Sequence, residues 1–177
     1  MTRFAQILIF PCLFLLPIIS IAKQNCNVNG KSPPLDSKRF TINNDGTVVD
    51  TSTGLMWKKC SEGQTDDDCN DEAVSYLSKD ALKIPQQVNN SGGFAGYTDW
   101  RLPSYSELSS IVEKQCVEPA INSNAFPNTP SSGFWTSTTG NDNKLEYVWF
   151  YTYLEGHYLD MRLPFYVRLI RLPMPHI

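Results

Sequence analysis

The stretch Gly92–Leu108, GGFAGYTDWRLPSYSEL, decides how this chain folds. Trp100 and Leu102 alternate with Arg101, the pattern of a short half-buried strand. Pro103 has no amide hydrogen to give to a ladder and ends that strand. Ser104, followed three residues later by Glu107, is a capping-box pattern. It predicts a helix from Tyr105, continuing through Leu108, Ile111 and Val112, whose spacing places them on one apolar face. A large apolar anchor, an arginine and a strand-to-helix corner fall within a few residues, so the stretch reads as buried and structural.

On its N-terminal side, Val74–Leu77 reads as a short strand and Ser78 as the cap of a helix through Ala81, Leu82, Ile84 and Val88. Pro85 is expected to kink or shorten that helix, and Asn89-Asn90-Ser91-Gly92-Gly93 to end it. Earlier still, Arg39–Ile42, Thr47–Asp50 and Leu55–Lys59 read as an antiparallel meander. Asn44-Asp45-Gly46 supplies its first turn and Thr51–Gly54 its second. On the C-terminal side, Phe134–Ser137 reads as a strand, and Glu146–Leu154 as an aromatic one. In the latter Tyr147, Trp149, Tyr151 and Tyr153 share one face, while Val148, Phe150 and Thr152 share the other. Glu155-Gly156 turns the chain into Tyr158–Leu163, and Tyr166–Leu172 reads as a last alternating strand. Trp57, Trp100, Trp135 and Trp149 are the leading core candidates.

Residues 1–22 read as a secretory signal peptide. Arg3 gives a positive start, Ile7–Ile19 is almost wholly apolar, and Ser20-Ile21-Ala22 is a small-x-small cleavage site. Residues 23–38 follow as an extended lead-in, and residues 39–177 form a single domain long enough for its own core. No later stretch is long and apolar enough to cross a bilayer. A formal net charge of −3 does not suit a general nucleic-acid binder. The destination this predicts is periplasm, cell surface or medium.

Of five cysteines, Cys12 leaves with the leader, and Cys26, Cys60, Cys69 and Cys116 remain. An even count in an exported chain reads as disulfides. Three pairings are possible. Cys60–Cys69, which flank one polar loop, are preferred, and that leaves Cys26–Cys116. The sequence holds no CxxC spacing, and its histidines are His157 and His176, so zinc is not expected. The loop with Asp66, Asp67, Asp68, Asp71 and Glu72 lacks the alternating ligands and glycine of a calcium-binding helix–loop–helix, and reads as a solvated loop closed by a disulfide. No cofactor is expected.

GTVVDTSTGLMWKKC, GGFAGYTDWRLPSYSEL, PAIN with a following FP, FWTST, an aromatic strand with EG, and YVRLIR occur in that order from about Phe40 to Arg171. Together they resemble the Lcl C-terminal domain family, named from a Legionella collagen-like adhesin. The resemblance implies an α+β fold similar to C-type-lectin-like and formylglycine-generating-enzyme-like domains, with two helices, twisted antiparallel strands and long loops. It also implies an extracytoplasmic binder, of sulfated glycosaminoglycans in the adhesin. No collagen-like repeat precedes the domain here. The EPN, QPD and WND motifs of calcium-dependent lectins are absent, and Asn141-Asp142-Asn143 reads as a polar turn.

An enzyme is not expected. His157 sits in a hairpin turn, His176 lies next to the C-terminus, no serine carries a nucleophile-elbow glycine pattern, and the cysteines are taken by disulfides. Three binding roles remain. A carbohydrate or glycosaminoglycan binder would use Lys58, Lys59, Lys144, Arg162, Arg168 and Arg171 as its charge for sulfates. A host or envelope protein would dock on the aromatic face at Tyr147–Tyr153, which equally reads as ordinary core. The third role is a structural envelope protein with no small ligand.

Overall fold

The computed structural model describes residues 24–26, 38–65, 68–140, 144–150 and 163–172. The leader, most of the lead-in, Asp66, Asp67, the 141–143 turn, Tyr151, Tyr153 and the strand expected from Tyr158 onward as far as Arg162 lie outside the described residues.

The N-terminal meander forms as its turns dictate, with β1 at Phe40–Ile42, β2 at Thr47–Asp50 and β3 at Leu55–Lys58. Asp45 tightens the first turn, its Oδ1 accepting from the Thr47 amide at 3.0 Å and the Thr47 hydroxyl at 2.6 Å. Asp50 does the same for Ser52 in the second. After the short β4, Ser75–Tyr76, the expected single helix is divided into α1, Ser78–Ala81, and α2, Ile84–Asn90. Pro85 is the reason. It offers no amide to the Ala81 carbonyl and its ring crowds that group, so a new helix starts with the proline in its first turn. Leu77, not Ser78, stands at the N-cap of α1, with no side-chain cap. α3 covers Tyr105–Ser110 behind a complete capping box. Ile111 is its C-cap, so the helix stops sooner than the apolar spacing predicts.

Four strands remain: β5 at Gly133–Thr139, β6 at Leu145–Trp149, β7 at Phe165–Tyr166 and β8 at Ile170–Arg171. The class is α+β, with one sheet ordered β1-β2-β3-β8 and another β4-β7-β5-β6. All pairings are antiparallel except β5 with β7. The last alternating run is therefore not one strand. Its beginning pairs in the second sheet and its end in the first, with Val167–Leu169 crossing between them.

The central strands bury residues on both faces. Trp57, Phe134, Val148, Phe150 and Ile170 enter one apolar cluster with Leu108, Ile111 and Phe126 from α3 and the loop beyond. Their chain neighbours Met56, Trp135 and Leu169 enter a second cluster with Trp100, Leu102, Ile84 and Phe165. Successive side chains on a strand point to opposite faces, so strands between two cores carry apolar residues at consecutive positions.

The Gly92–Leu108 stretch joins the two sheets. The expected strand at Trp100–Leu102 is reduced to one bridge, Arg101 with Ile170, at 2.9 and 3.0 Å. Just beyond, the Pro103 carbonyl accepts from the Ser137 amide at 2.7 Å and the Tyr105 amide donates to Thr138 Oγ1 at 2.9 Å, both on β5. Pro103 ends pairing with the first sheet and the chain hooks onto the second.

Candidate functional site

Ahead of Trp100 the chain closes on itself, the Phe94 and Tyr97 amides each donating to the other's carbonyl at 2.9 and 3.0 Å. Gly93 makes this closure possible. Its φ is +80°, and a Cβ there would sit 2.0 Å from the Tyr97 carbonyl oxygen. The loop carries Phe94 to Lys58, whose ammonium lies 4.5 Å from the ring centroid, and Tyr97 to Arg171, whose guanidinium lies 3.8 Å from that ring. Asp99 adds an ion pair to Arg171 at 2.7 Å. The Arg171 hydrogen bonds hold the Asp99 carboxyl below the usual carboxylate range.

These contacts decide the standing of the cations expected to meet a ligand. Lys58 is paired with Glu62 at 2.7 Å as well as with Phe94. Arg171 is buried against Asp99, Tyr97 and Met56. Arg168 is fully buried, contrary to the expectation that it faces a ligand. Its Nη1 donates to the Lys58 and Lys59 carbonyls, and its Nη2 to Ser61 Oγ at 3.1 Å and Thr129 Oγ1 at 2.7 Å. The Phe126 and Phe134 ring centroids lie 4.9 and 5.9 Å from the group. Burial pushes the Arg168 pKa down to about 9, with the Glu62 charge opposing, so the guanidinium remains charged at neutral pH. The fold buries Arg168 and Arg171 and leaves Lys58 half-buried in its pair with Glu62. Lys59 is half-buried beside Lys58, Lys144 is exposed at the start of β6, and Arg162 lies outside the described residues.

Arg101, at the sheet junction, forks onto Glu107 at 2.7 and 2.9 Å. Glu107 also accepts from the Ser104 amide at 2.7 Å, which completes the cap of α3. Arg101 first, and the Ser104 cap after it, hold the Glu107 pKa down from 4.5 to about 2. A depressed carboxyl pKa stabilises the fold above its unfolded value, and that stabilisation fades as pH falls through the folded one. Glu107→Gln is therefore expected to melt below the wild type at neutral pH, with the gap closing between pH 4.5 and about 2. A gap that stays constant across that interval in pH-dependent melting curves contradicts this role.

A cleft opens where four segments meet: the Asp45-Gly46 turn, the Lys58 end of β3, the Cys60–Cys69 loop at Gln64 and Thr65, and Phe94. Gln64 fixes one wall. Its Oε1 accepts from the Ser61 amide at 2.9 Å, and its Nε2 donates to the Cys69 and Asn128 carbonyls at 2.7 and 3.0 Å. Phe94 rests on Gly46, where a Cβ would come within 2.8 Å of the ring. Of these residues the sequence alone points only to Lys58 as a contact. The signals present were the Asp-Gly turn and an aromatic between glycines, both of which also read as plain architecture.

The aromatic face of β6 packs against the second cluster over its described part and is half-buried there. Tyr147 lies 4.5 Å from Phe165 and 6.1 Å from Trp135, and Trp149 lies 5.9 Å from Phe165. Trp57, Trp100 and Trp135 are buried, whereas Trp149 is half-buried at the margin of the second cluster. The two disulfides are Cys60–Cys69 and Cys26–Cys116. Beside the latter, Asn25 bridges Val117, and Gln24 donates to the Pro119 and Ile121 carbonyls. Among the described residues no group of histidine, cysteine, aspartate and glutamate is placed to hold a metal ion, and no helix is long and apolar enough to cross a membrane.

These features define a disulfide-linked α+β domain with two four-stranded sheets, joined at one loop-to-helix corner. The chain belongs to the Lcl C-terminal domain family, whose model matches residues 46–171. No curated protein and no solved structure matches it.

Proposed function

We propose that the protein is an exported, non-catalytic binding domain of adhesin-like type, that its architecture is C-type-lectin-like, and that its ligand is carbohydrate. Membership of the Lcl C-terminal domain family carries the reading, since that family takes its name from an adhesin. Two disulfides support an oxidising destination, in keeping with the signal-peptide pattern of residues 1–22. Internal pairing of Lys58, Arg168 and Arg171 moves the preferred ligand away from sulfated chains, because an anion clamp needs cations that are exposed and unneutralised. Carbohydrate recognition then rests on hydrogen bonds and an aromatic plate. An array carrying neutral and sulfated glycans tests this. Signal on neutral glycans is expected, and an array with no signal on any of them sinks the carbohydrate assignment.

A further inference from the structure

We propose that the cleft between Asp45, Lys58 and Phe94 is the ligand site, and that it takes the edge of one uncharged sugar residue. The inference rests on the carbohydrate reading and adds to it a place and a charge class. The cleft holds about 100 Å³. That falls well below the roughly 300–1,000 Å³ of sites that enclose a whole drug-sized ligand, so a single ring edge fits and a folded oligosaccharide does not.

Its chemistry matches a polyol. Asp45 turns Oδ1 inward to Thr47, and its Oδ2 accepts no hydrogen bond from a described residue. That oxygen is a charged acceptor for sugar hydroxyl protons. Lys58 carries three donors on its ammonium. One reaches Glu62 at 2.7 Å and the group also lies over the Phe94 ring, which leaves donor capacity for a sugar oxygen. Thr65 donates to Asp71, so its oxygen remains an acceptor at the rim. Phe94 is half-buried and supplies the apolar part of the cleft wall, against which sugar C–H groups can rest. Acceptor, donor and plate stand together on segments that the Gln64 hydrogen bonds and the Cys60–Cys69 bridge hold in place.

The charges select against sulfate. The lining carries one acid, Asp45, and one base, Lys58, whose charge the buried Glu62 already answers, so an entering anion finds no unneutralised cation. A hydroxyl group needs none, since it donates to the carboxylate and accepts from the ammonium.

The test is a ¹H–¹⁵N titration of the purified oxidised protein with millimolar methyl glycosides of glucose, galactose, mannose and N-acetylglucosamine. Methyl galactoside 6-sulfate serves as the charged comparison. Shifts from at least one neutral glycoside are expected at the Gly46, Lys58 and Phe94 amides, with little response to the sulfate. Asp45→Asn keeps the Oδ1 contact to Thr47 and removes the carboxylate charge, and Phe94→Leu keeps apolar bulk while removing the flat ring. Each is expected to weaken binding at least tenfold while the remaining spectrum stays that of the folded protein. Wild-type affinity in both folded variants, or shifts centred away from this cleft, overturns the site while leaving the carbohydrate reading intact. Preference for the sulfated glycoside overturns the charge class. No response to any glycoside here, together with a blank array, removes the carbohydrate reading and this inference with it.

Discussion

Trp100→Ala is expected to cost about 3–5 kcal/mol, the range for deleting an enclosed tryptophan. Trp100 is 2 % exposed in the second cluster, with Leu102, Trp135 and Phe165. Polar contacts add to its burial. The Asn89 side chain receives the Trp100 amide at 3.1 Å and donates to its carbonyl at 2.8 Å, which clamps α2 to the corner. The indole Nε1 donates to the Phe94 carbonyl at 3.0 Å, and the rings meet edge to face at 5.8 Å. Trp100 thus supports both the junction of the two sheets and the loop that sets Phe94 over Lys58. Trp100→Phe should lose less, because it keeps much of the apolar volume and gives up the Nε1 bond. Urea unfolding of both variants checks the order. An unchanged midpoint in Trp100→Ala contradicts this role for the indole.

Arg168→Met is expected to destabilise by about 1–3 kcal/mol, the cost of leaving interior acceptors without their donor. Methionine approximates the stem of arginine but not its fork. The Lys58 and Lys59 carbonyls and the Ser61 and Thr129 hydroxyls each lose their donor in the interior. An interior polar group left without a partner costs about 1–3 kcal/mol, and such costs are not additive within one network. Arg168→Lys restores the charge but reaches fewer of the four acceptors, so it should fall between methionine and wild type. These bonds tie the end of β3 to the loop at Thr129, at the place where the chain passes from β7 to β8. If Arg168→Met unfolds at the wild-type urea concentration, the guanidinium is not the tie described here.

Features written in neighbouring residues were legible before the structure. Asn44-Asp45-Gly46 makes its hairpin turn, Ser104 and Glu107 close their capping box, and Pro85 interrupts its helix. Each depends on backbone chemistry within about one helical turn. The cysteine pairing was legible for a related reason, since Cys60 and Cys69 lie close in sequence and leave one choice for the other pair. Long-range contacts decide what could not be read. Tyr166–Leu172 has the period of one strand, and nothing local shows that Tyr166 pairs with Ser75 while Arg171 pairs with Met56. The charge of Arg171 is answered by Asp99, and that of Arg168 by carbonyls of Lys58 and Lys59, all distant in sequence. A basic side chain looks free in a sequence until its partner is known, and for this reason sequence alone points Arg168 and Arg171 at a ligand.

Heparin chromatography of the oxidised protein most directly tests the central claim, that Lys58, Arg168 and Arg171 are occupied within the fold, and with it the proposal that binding does not run on charge. At about 0.15 M salt, where exposed charges are screened beyond roughly 8 Å, the protein is expected to emerge with the unretained fraction. Retention that needs several times that salt for elution would show an exposed cationic surface and contradict the account.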